Sequence, residues 1–159
     1  MKKAYMMIGL PGAGKSTWVN NADELWEDDS LYVVSTDNVI DKISIEYGFT
    51  YDETFTQLIS FAQKVFDSDF EWCIKEERTI VIDRTNTTPK IRKTFIDKLT
   101  EAGYEVHAVF FTIDIATQER RLAQREGKHI PDFVLRKMRG GLVSPSIEEG
   151  FSSITVVNA

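Results

Sequence analysis

Short continuous apolar runs alternate along this chain with longer stretches whose apolar residues recur every three or four positions. Ala4–Ile8, Leu31–Ser35, Thr79–Asp83, Glu105–Thr112 and Ile154–Val157 are runs of the first kind. Rich in β-branched and aromatic residues, they read as strands buried on both faces. Helical segments lie between them. Lys15 to about Asn21 follows the first strand, and Val39–Tyr47 the second. Asp52–Glu77 places Phe55, Leu58, Ile59, Ala62, Val65, Phe66 and Phe70 at helical spacing. Thr88-Pro89 is a helix start, a hydroxyl cap followed by a proline whose missing N–H costs nothing there. That helix carries Ile91, Phe95, Ile96 and Leu99, and Gly103 stops it. Ala116–Glu126 and Asp132–Arg139 complete the set. Strand–helix alternation at this spacing predicts βαβ units with right-handed crossovers. The expectation is an α/β three-layer sandwich on a parallel, five-stranded sheet.

Length bears this out as one compact domain over residues 1–159, since 159 residues bury an adequate core without staples. The single cysteine, Cys73, excludes an internal disulfide and any zinc site with two cysteine ligands. It fits a reducing, cytoplasmic setting. The apolar stretch after Met1-Lys2-Lys3 is too short for a signal peptide and runs into Gly9 and Pro11. No run of about 18 apolar residues suggests a membrane span.

The strongest chemical signal is Gly9-Leu10-Pro11-Gly12-Ala13-Gly14-Lys15-Ser16-Thr17. It satisfies G-x-x-x-x-G-K-[ST] between a strand and a helix, where a phosphate cradle requires it. Glycines let backbone N–H groups turn inward around a polyphosphate, and the helix start adds its positive end. Lys15 supplies an ammonium for the β- and γ-phosphates, Ser16 a hydroxyl for Mg²⁺. The expected ligands are therefore ATP and Mg²⁺.

Asp37 and Asp83 follow the second and third strands. In an open parallel sheet both would face the ligand beyond the carboxyl ends of the strands. One such carboxylate can accept a proton from an attacking hydroxyl, and another can orient Mg²⁺ or its waters. The alternative for either is a helix cap alone. From Arg120 to Arg139 there are seven basic residues against two acidic ones. Arg121 and Arg125, four apart, would share a helical face before Gly127-Lys128-His129-Ile130-Pro131 breaks it. Helix, loop, helix with paired arginines reads as a lid, about 120–139, that closes guanidinium charge over a triphosphate.

These motifs resemble the kinase domain of the 5′-hydroxyl polynucleotide kinases, a P-loop NTPase fold. The P-loop with its proline and following Trp18, Asp37, Asp83-Arg84-Thr85-Asn86 (similar to D-x-T-N), His129-Ile130-Pro131 after the lid and Glu149-Gly150-Phe151 before the last strand carry the likeness. The resemblance implies transfer of a phosphoryl group from ATP to the 5′-hydroxyl of a DNA or RNA end. Lys15 and Ser16 would bind phosphate and Mg²⁺, and Asp37 would activate the hydroxyl. Asp83 would organise the acceptor or metal side, Arg121 would lie near the base and phosphates, and Arg125 would act on the transition state. No phosphatase domain, which these relatives carry, is expected. Thr36 and Ile40 stand where the family has arginines before and after its base.

The remaining aromatic and histidine residues are expected to be structural. His107 alternates within a strand; Cys73 and Trp72 belong to the long helix. Phe49, Tyr51 and Phe55 could stack bases, but core packing is the stronger expectation. The net charge of −6 weighs against a broad nucleic-acid clamp and favours a small-alcohol kinase as the alternative. The charge is uneven, however. Residues 1–77 hold 6 basic and 15 acidic side chains, residues 78–159 hold 13 and 10. The basic excess sits where phosphates would be handled, and the acidity in 23–29 and 67–77 is expected on outer helix faces. A nucleotide-dependent switch without transfer would need no alcohol-activating carboxylate.

Overall fold

The computed structural model describes residues 1–159. Five strands, β1 (Lys2–Ile8), β2 (Tyr32–Val34), β3 (Ile80–Ile82), β4 (Tyr104–Thr112) and β5 (Ser153–Asn158), pair in parallel in the order β2-β3-β1-β4-β5. The chain starts in the middle strand, builds one half of the sheet through β2 and β3, then crosses to build the other with β4 and β5. β1 is thus flanked by strands reached in opposite directions, which opens a crevice beyond its carboxyl end. β1 and β4 pair along the whole of β1, from Lys2↔Tyr104 to Ile8↔Phe110.

Period-2 alternation divides the strand side chains between two cores. Ala4, Met6, Ile8, Ile80, Ile82, Val106 and Ala108 face one side and pack on two helices. These are α4 (Tyr51–Lys75), through Phe66, Phe70 and Cys73, and α5 (Pro89–Glu101), through Phe95, Ile96 and Leu99. Met7, Val81, Val109 and Phe111 face the other side and pack on Ala13 and on Val19 of α1 (Lys15–Asn20). The result is the expected three-layer α/β fold with its parallel five-stranded sheet.

All five strands stand where the apolar runs predict them, within two residues at each end. Thr88 caps α5, accepting from the Ile91 N–H, and Pro89 begins the helix. α3 (Thr36–Tyr47) starts earlier than the periodicity suggests, capped by Ser35 through the Asn38 N–H. Asp37 lies in its first turn and is not the cap. α6 (Ile115–Ala123) is shorter than expected, so Arg125 lies beyond it and does not share a helical face with Arg121. Residues 124–127 turn away from the helix, and Gly127, at φ 68, sits so close to Thr50 that a Cβ would lie 2.9 Å from Thr50 Cβ. α2 (Asp23–Trp26) and a single 3₁₀ turn at Ile147–Glu149 had no sequence expectation. α7 (Asp132–Gly141) completes the helices.

Phe49 and Phe55 are exposed, against the expectation of core packing. α4 has 25 residues, and its first turns extend past the sheet to pack beside α3. The acidic side chains of 23–29 point outward as expected, as do most of those in 67–77. His107 stacks on Tyr5 at 5.5 Å between ring centroids, with Nδ1 2.6 Å from Ser153 Oγ. No helix is long and apolar enough to cross a membrane.

Candidate active site

The loop from Gly9 to Gly14 leaves β1 at the crevice and enters α1. Gly12 and Gly14 adopt φ of 83° and 95°, a region open to glycine but strained for other residues. A Cβ on Gly12 would also meet Leu122 of α6 at 3.4 Å. The loop is tied to its surroundings by Gly9 N–H donating to Thr85 O at 3.0 Å. Gln118 of α6 is fully buried, donates through Nε2 to Pro11 O at 2.9 Å and accepts from Arg139 Nε at 2.7 Å. α6 is therefore seated on the loop, and α7 is linked to it through Gln118.

Lys15 Nζ donates to Gly9 O at 2.8 Å and Leu10 O at 3.0 Å, closing the loop on itself. Burial lowers its pKa to about 8, although the Asp83 and Asp37 carboxylates pull the other way; Arg125 and Lys128 lower it further. These groups thus share one electrostatic neighbourhood. Ser16 Oγ donates to Asp83 Oδ2 at 3.2 Å. Burial pushes the Asp83 carboxyl up, while Lys15 and the Ser16 hydroxyl hold it back. Lys15 and Ser16, Asp37, Asp83 and Arg125, from four separate segments of the chain, are brought to one place.

Both oxygens of the Asp37 carboxylate have partners. Tyr51 Oη donates to Oδ1 at 2.6 Å, and Lys128 Nζ lies 3.5 Å from Oδ2. Lys128 also lies over the Tyr51 ring, 4.4 Å from its centroid. Burial, then the bond to Asp37, pushes the Tyr51 phenol far above its ordinary pKa. The loop between α6 and α7 is anchored beside it, with Asp52 N–H donating to Gly127 O at 2.9 Å and His129 N–H to Asp52 Oδ1 at 2.8 Å. Sequence reasoning missed the Tyr51–Asp37–Lys128 grouping, because α4 and the loop before α7 meet only in the folded chain.

Arg121 donates to Gly12 O at 3.1 Å. With Arg125 it borders a cleft of about 1100 Å³ that runs past Gly14, Thr17 and Trp18 toward Asn158. On the far side of the site, the 83–88 loop is fixed by a residue the sequence did not flag. Arg92, fully buried in α5, donates to both carboxylate oxygens of Glu149, Nε at 2.7 Å and Nη2 at 3.1 Å. Its Nη1 reaches Asn86 O at 3.0 Å and Val143 O at 2.9 Å. The signal was there in the spacing: 92, 95, 96 and 99 form one helical face, with an arginine in line with three core residues.

Residues 5–145 match the AAA domain family AAA_33. The bifunctional polynucleotide phosphatase/kinase of Schizosaccharomyces pombe is 21% identical over 98% of this chain, which spans 33% of that protein's length. Among solved structures, the PezAT chromosomal toxin–antitoxin system of Streptococcus pneumoniae aligns at TM-score 0.69 and 17% identity, over 99% of this chain and 67% of that one. A sugar kinase from Janibacter sp. HTCC2649 aligns at TM-score 0.61 and 16% identity, over 99% of this chain and 86% of that one.

Proposed function

Because the chain belongs to the AAA domain family AAA_33 and has a P-loop kinase fold, we propose that it transfers the γ-phosphoryl group of ATP to the 5′-hydroxyl of a DNA or RNA end. The observation that carries a transfer reaction is the meeting of Asp37 with Lys15, Asp83 and Arg125 at the mouth of the phosphate cradle. A switch that only binds nucleotide has no use for a carboxylate there. The nucleic-acid acceptor is supported by the likeness to a polynucleotide phosphatase/kinase, 21% identical over 98% of this chain.

Each residue has a distinct task in this reading. The N–H groups of Gly12 to Thr17 and the Lys15 ammonium hold the β- and γ-phosphates. Pairing with phosphate requires Lys15 to leave the Gly9 and Leu10 carbonyls. Gly9, Pro11 and Ala13 shape the loop, and Arg121 and the cleft beside it take the nucleoside end of ATP. The acceptor oxygen attacks the γ-phosphorus, the bond to the β,γ-bridging oxygen breaks, and ADP leaves. The acceptor proton passes to Asp37, whose carboxylate Tyr51 holds in orientation. A carboxylate suffices there because the loose transition state demands positioning more than prior deprotonation. Arg125 neutralises charge on the transferring group.

Ser16 Oγ and Asp83 Oδ2 are hard oxygen donors side by side and fit a magnesium ion. No cluster of three or more His, Cys, Asp and Glu side chains accompanies them, which suits an ion that keeps several waters and takes its other ligands from phosphate. When bound, the ion supplies charge neutralisation on the β- and γ-oxygens.

A second reading, a small-alcohol kinase, is favoured by the acidic charge of −6 and by a fold shared with a sugar kinase. Incubation with γ-labelled ATP, Mg²⁺, a 5′-hydroxyl oligonucleotide and a panel of sugars and nucleosides separates the two. Label on the oligonucleotide supports the first; label confined to a small alcohol replaces it with the second.

A further inference from the structure

The two oxygens of the Asp37 carboxylate are not equivalent. Oδ1 accepts from the Tyr51 hydroxyl, so an acceptor alcohol presents its proton to Oδ2. That oxygen already has a neighbour with no task in the chemistry above. Lys128 Nζ lies 3.5 Å from it, at ion-pair distance but beyond a good hydrogen bond. The ammonium is held by more than this carboxylate. It lies over the Tyr51 ring, 4.4 Å from the centroid, and its side chain is 23% exposed where that of Asp37 is 54% exposed. The backbone on either side is fixed, Gly127 O accepting from Asp52 N–H and His129 N–H donating to Asp52 Oδ1. The Lys128 charge also acts on Lys15, on Asp83 and on Asp41, one helical turn beyond Asp37 in α3. The other cations of the site are engaged elsewhere: Lys15 serves the cradle, Arg121 donates to Gly12 O, and Arg125 faces the transferring group.

A hydroxyl oxygen about 2.7 Å from Oδ2 can lie at ordinary hydrogen-bond distance from Nζ as well, the third side of that triangle being the separation already present. The hydroxyl then donates to Asp37 and accepts from Lys128 through one lone pair, which leaves the other for the γ-phosphorus. We propose that Lys128 is a catalytic residue of the transfer, whose ammonium donates to the acceptor oxygen and, with Asp37, fixes the orientation from which that oxygen attacks. The acceptor proton goes to Asp37 Oδ2, and Lys128 keeps its own. As Asp37 becomes neutral, the Lys128 charge gains a new partner in the phosphate monoester that has just formed. The assignment rests on the reading of Asp37 as the group that takes the acceptor proton, and not on which alcohol carries it.

The test compares the wild type, Lys128→Met (which keeps an apolar stem over the Tyr51 ring), Lys128→Arg and Asp37→Asn. Transfer from ATP is measured on a 5′-hydroxyl oligonucleotide or, should the wild type label only sugars, on the sugar that it labels. Lys128→Met should lower kcat by about 10- to 100-fold, the scale of a charge-assisted hydrogen bond. KM for ATP should stay within about two-fold, because the cradle is intact. Lys128→Arg should keep clearly more activity than Lys128→Met. Tm should stay within about 2 °C of wild type in both, since a partly exposed ion pair contributes little to stability. A wild-type kcat in Lys128→Met beside an inactive Asp37→Asn overturns the assignment and leaves the kinase reading intact. A kcat above wild type also overturns it, since it marks an ammonium that only blocks the carboxylate. So does Lys128→Arg no better than Lys128→Met with a lowered Tm, which marks a support for the loop. Undiminished transfer by Asp37→Asn removes the reading of Asp37 itself and this assignment with it.

Discussion

Glu149→Gln isolates the buried arginine that holds the 83–88 loop. The substitution keeps shape and volume but removes the charge opposite Arg92, whose side chain is 0% exposed while that of Glu149 is 14% exposed. One of the two charge-assisted bonds is lost and the other becomes a bond to a neutral amide oxygen, so a guanidinium remains in the core with no counter-charge, only that oxygen and the Asn86 and Val143 carbonyls. Breaking a buried pair from one side costs about 3–5 kcal/mol. Because Glu149 retains some water, the lower end applies, about 3 kcal/mol, which for a chain of this size lowers Tm by about 6–12 °C. The double variant Arg92→Met, Glu149→Gln should recover part of the loss, since it no longer buries an unpaired charge. Thermal unfolding followed by circular dichroism measures all three proteins. Acid adds a second reading. Burial pushes the Glu149 carboxyl up, but Arg92 and the Ser146 N–H outweigh it and hold it below 4.5. Its folded value is thus below its unfolded one, so its contribution is complete above pH 4.5 and fades as pH falls through the lower folded value. Glu149→Gln should lose that acid-sensitive part of the stability curve. A Tm within about 2 °C of wild type, or a double variant less stable than the single one, would refute the reasoning.

Other perturbations reach the reacting groups. Asp37→Asn should bind ATP as the wild type does in calorimetry yet lose transfer by about 10²-fold or more. Tyr51→Phe removes the 2.6 Å bond to Asp37 Oδ1 and should lower kcat more than it raises KM for ATP, as seen in steady-state kinetics. Lys15 titrates at about 8 in the free protein, below its usual 10.5, and bound phosphate raises that value. ATP affinity should therefore be flat below pH 8 and weaken above it, by up to about tenfold per pH unit, in binding titrations. Lys15→Ala should bind weakly at every pH and lose this slope.

Strand positions were legible because burial on both faces leaves a local mark, an unbroken apolar run. The phosphate cradle was legible because its glycines, lysine and serine are contiguous and act largely through backbone. What escaped depends on contacts between distant segments. Gly127 sits against Thr50 and Arg125 lies beyond the end of α6, outside the helix that its spacing to Arg121 implied. Phe55 has core spacing within α4 but lies where that helix has outrun the sheet. Tyr51 looked like a packing or stacking residue until the fold set its hydroxyl on Asp37. Arg92 broke an apolar face, and its partner Glu149, 57 positions later, is what makes a charge tolerable there.

The central claim is that Asp37 activates a 5′-hydroxyl of nucleic acid for attack on ATP. Mass spectrometry of one defined 5′-hydroxyl oligonucleotide, after incubation with ATP, Mg²⁺ and either wild type or Asp37→Asn, tests it most directly. The account predicts one added phosphoryl group, mapped to the 5′-oxygen, with the wild type and almost none with the variant. An unmodified oligonucleotide beside a phosphorylated sugar, or equal product from both proteins, would contradict it.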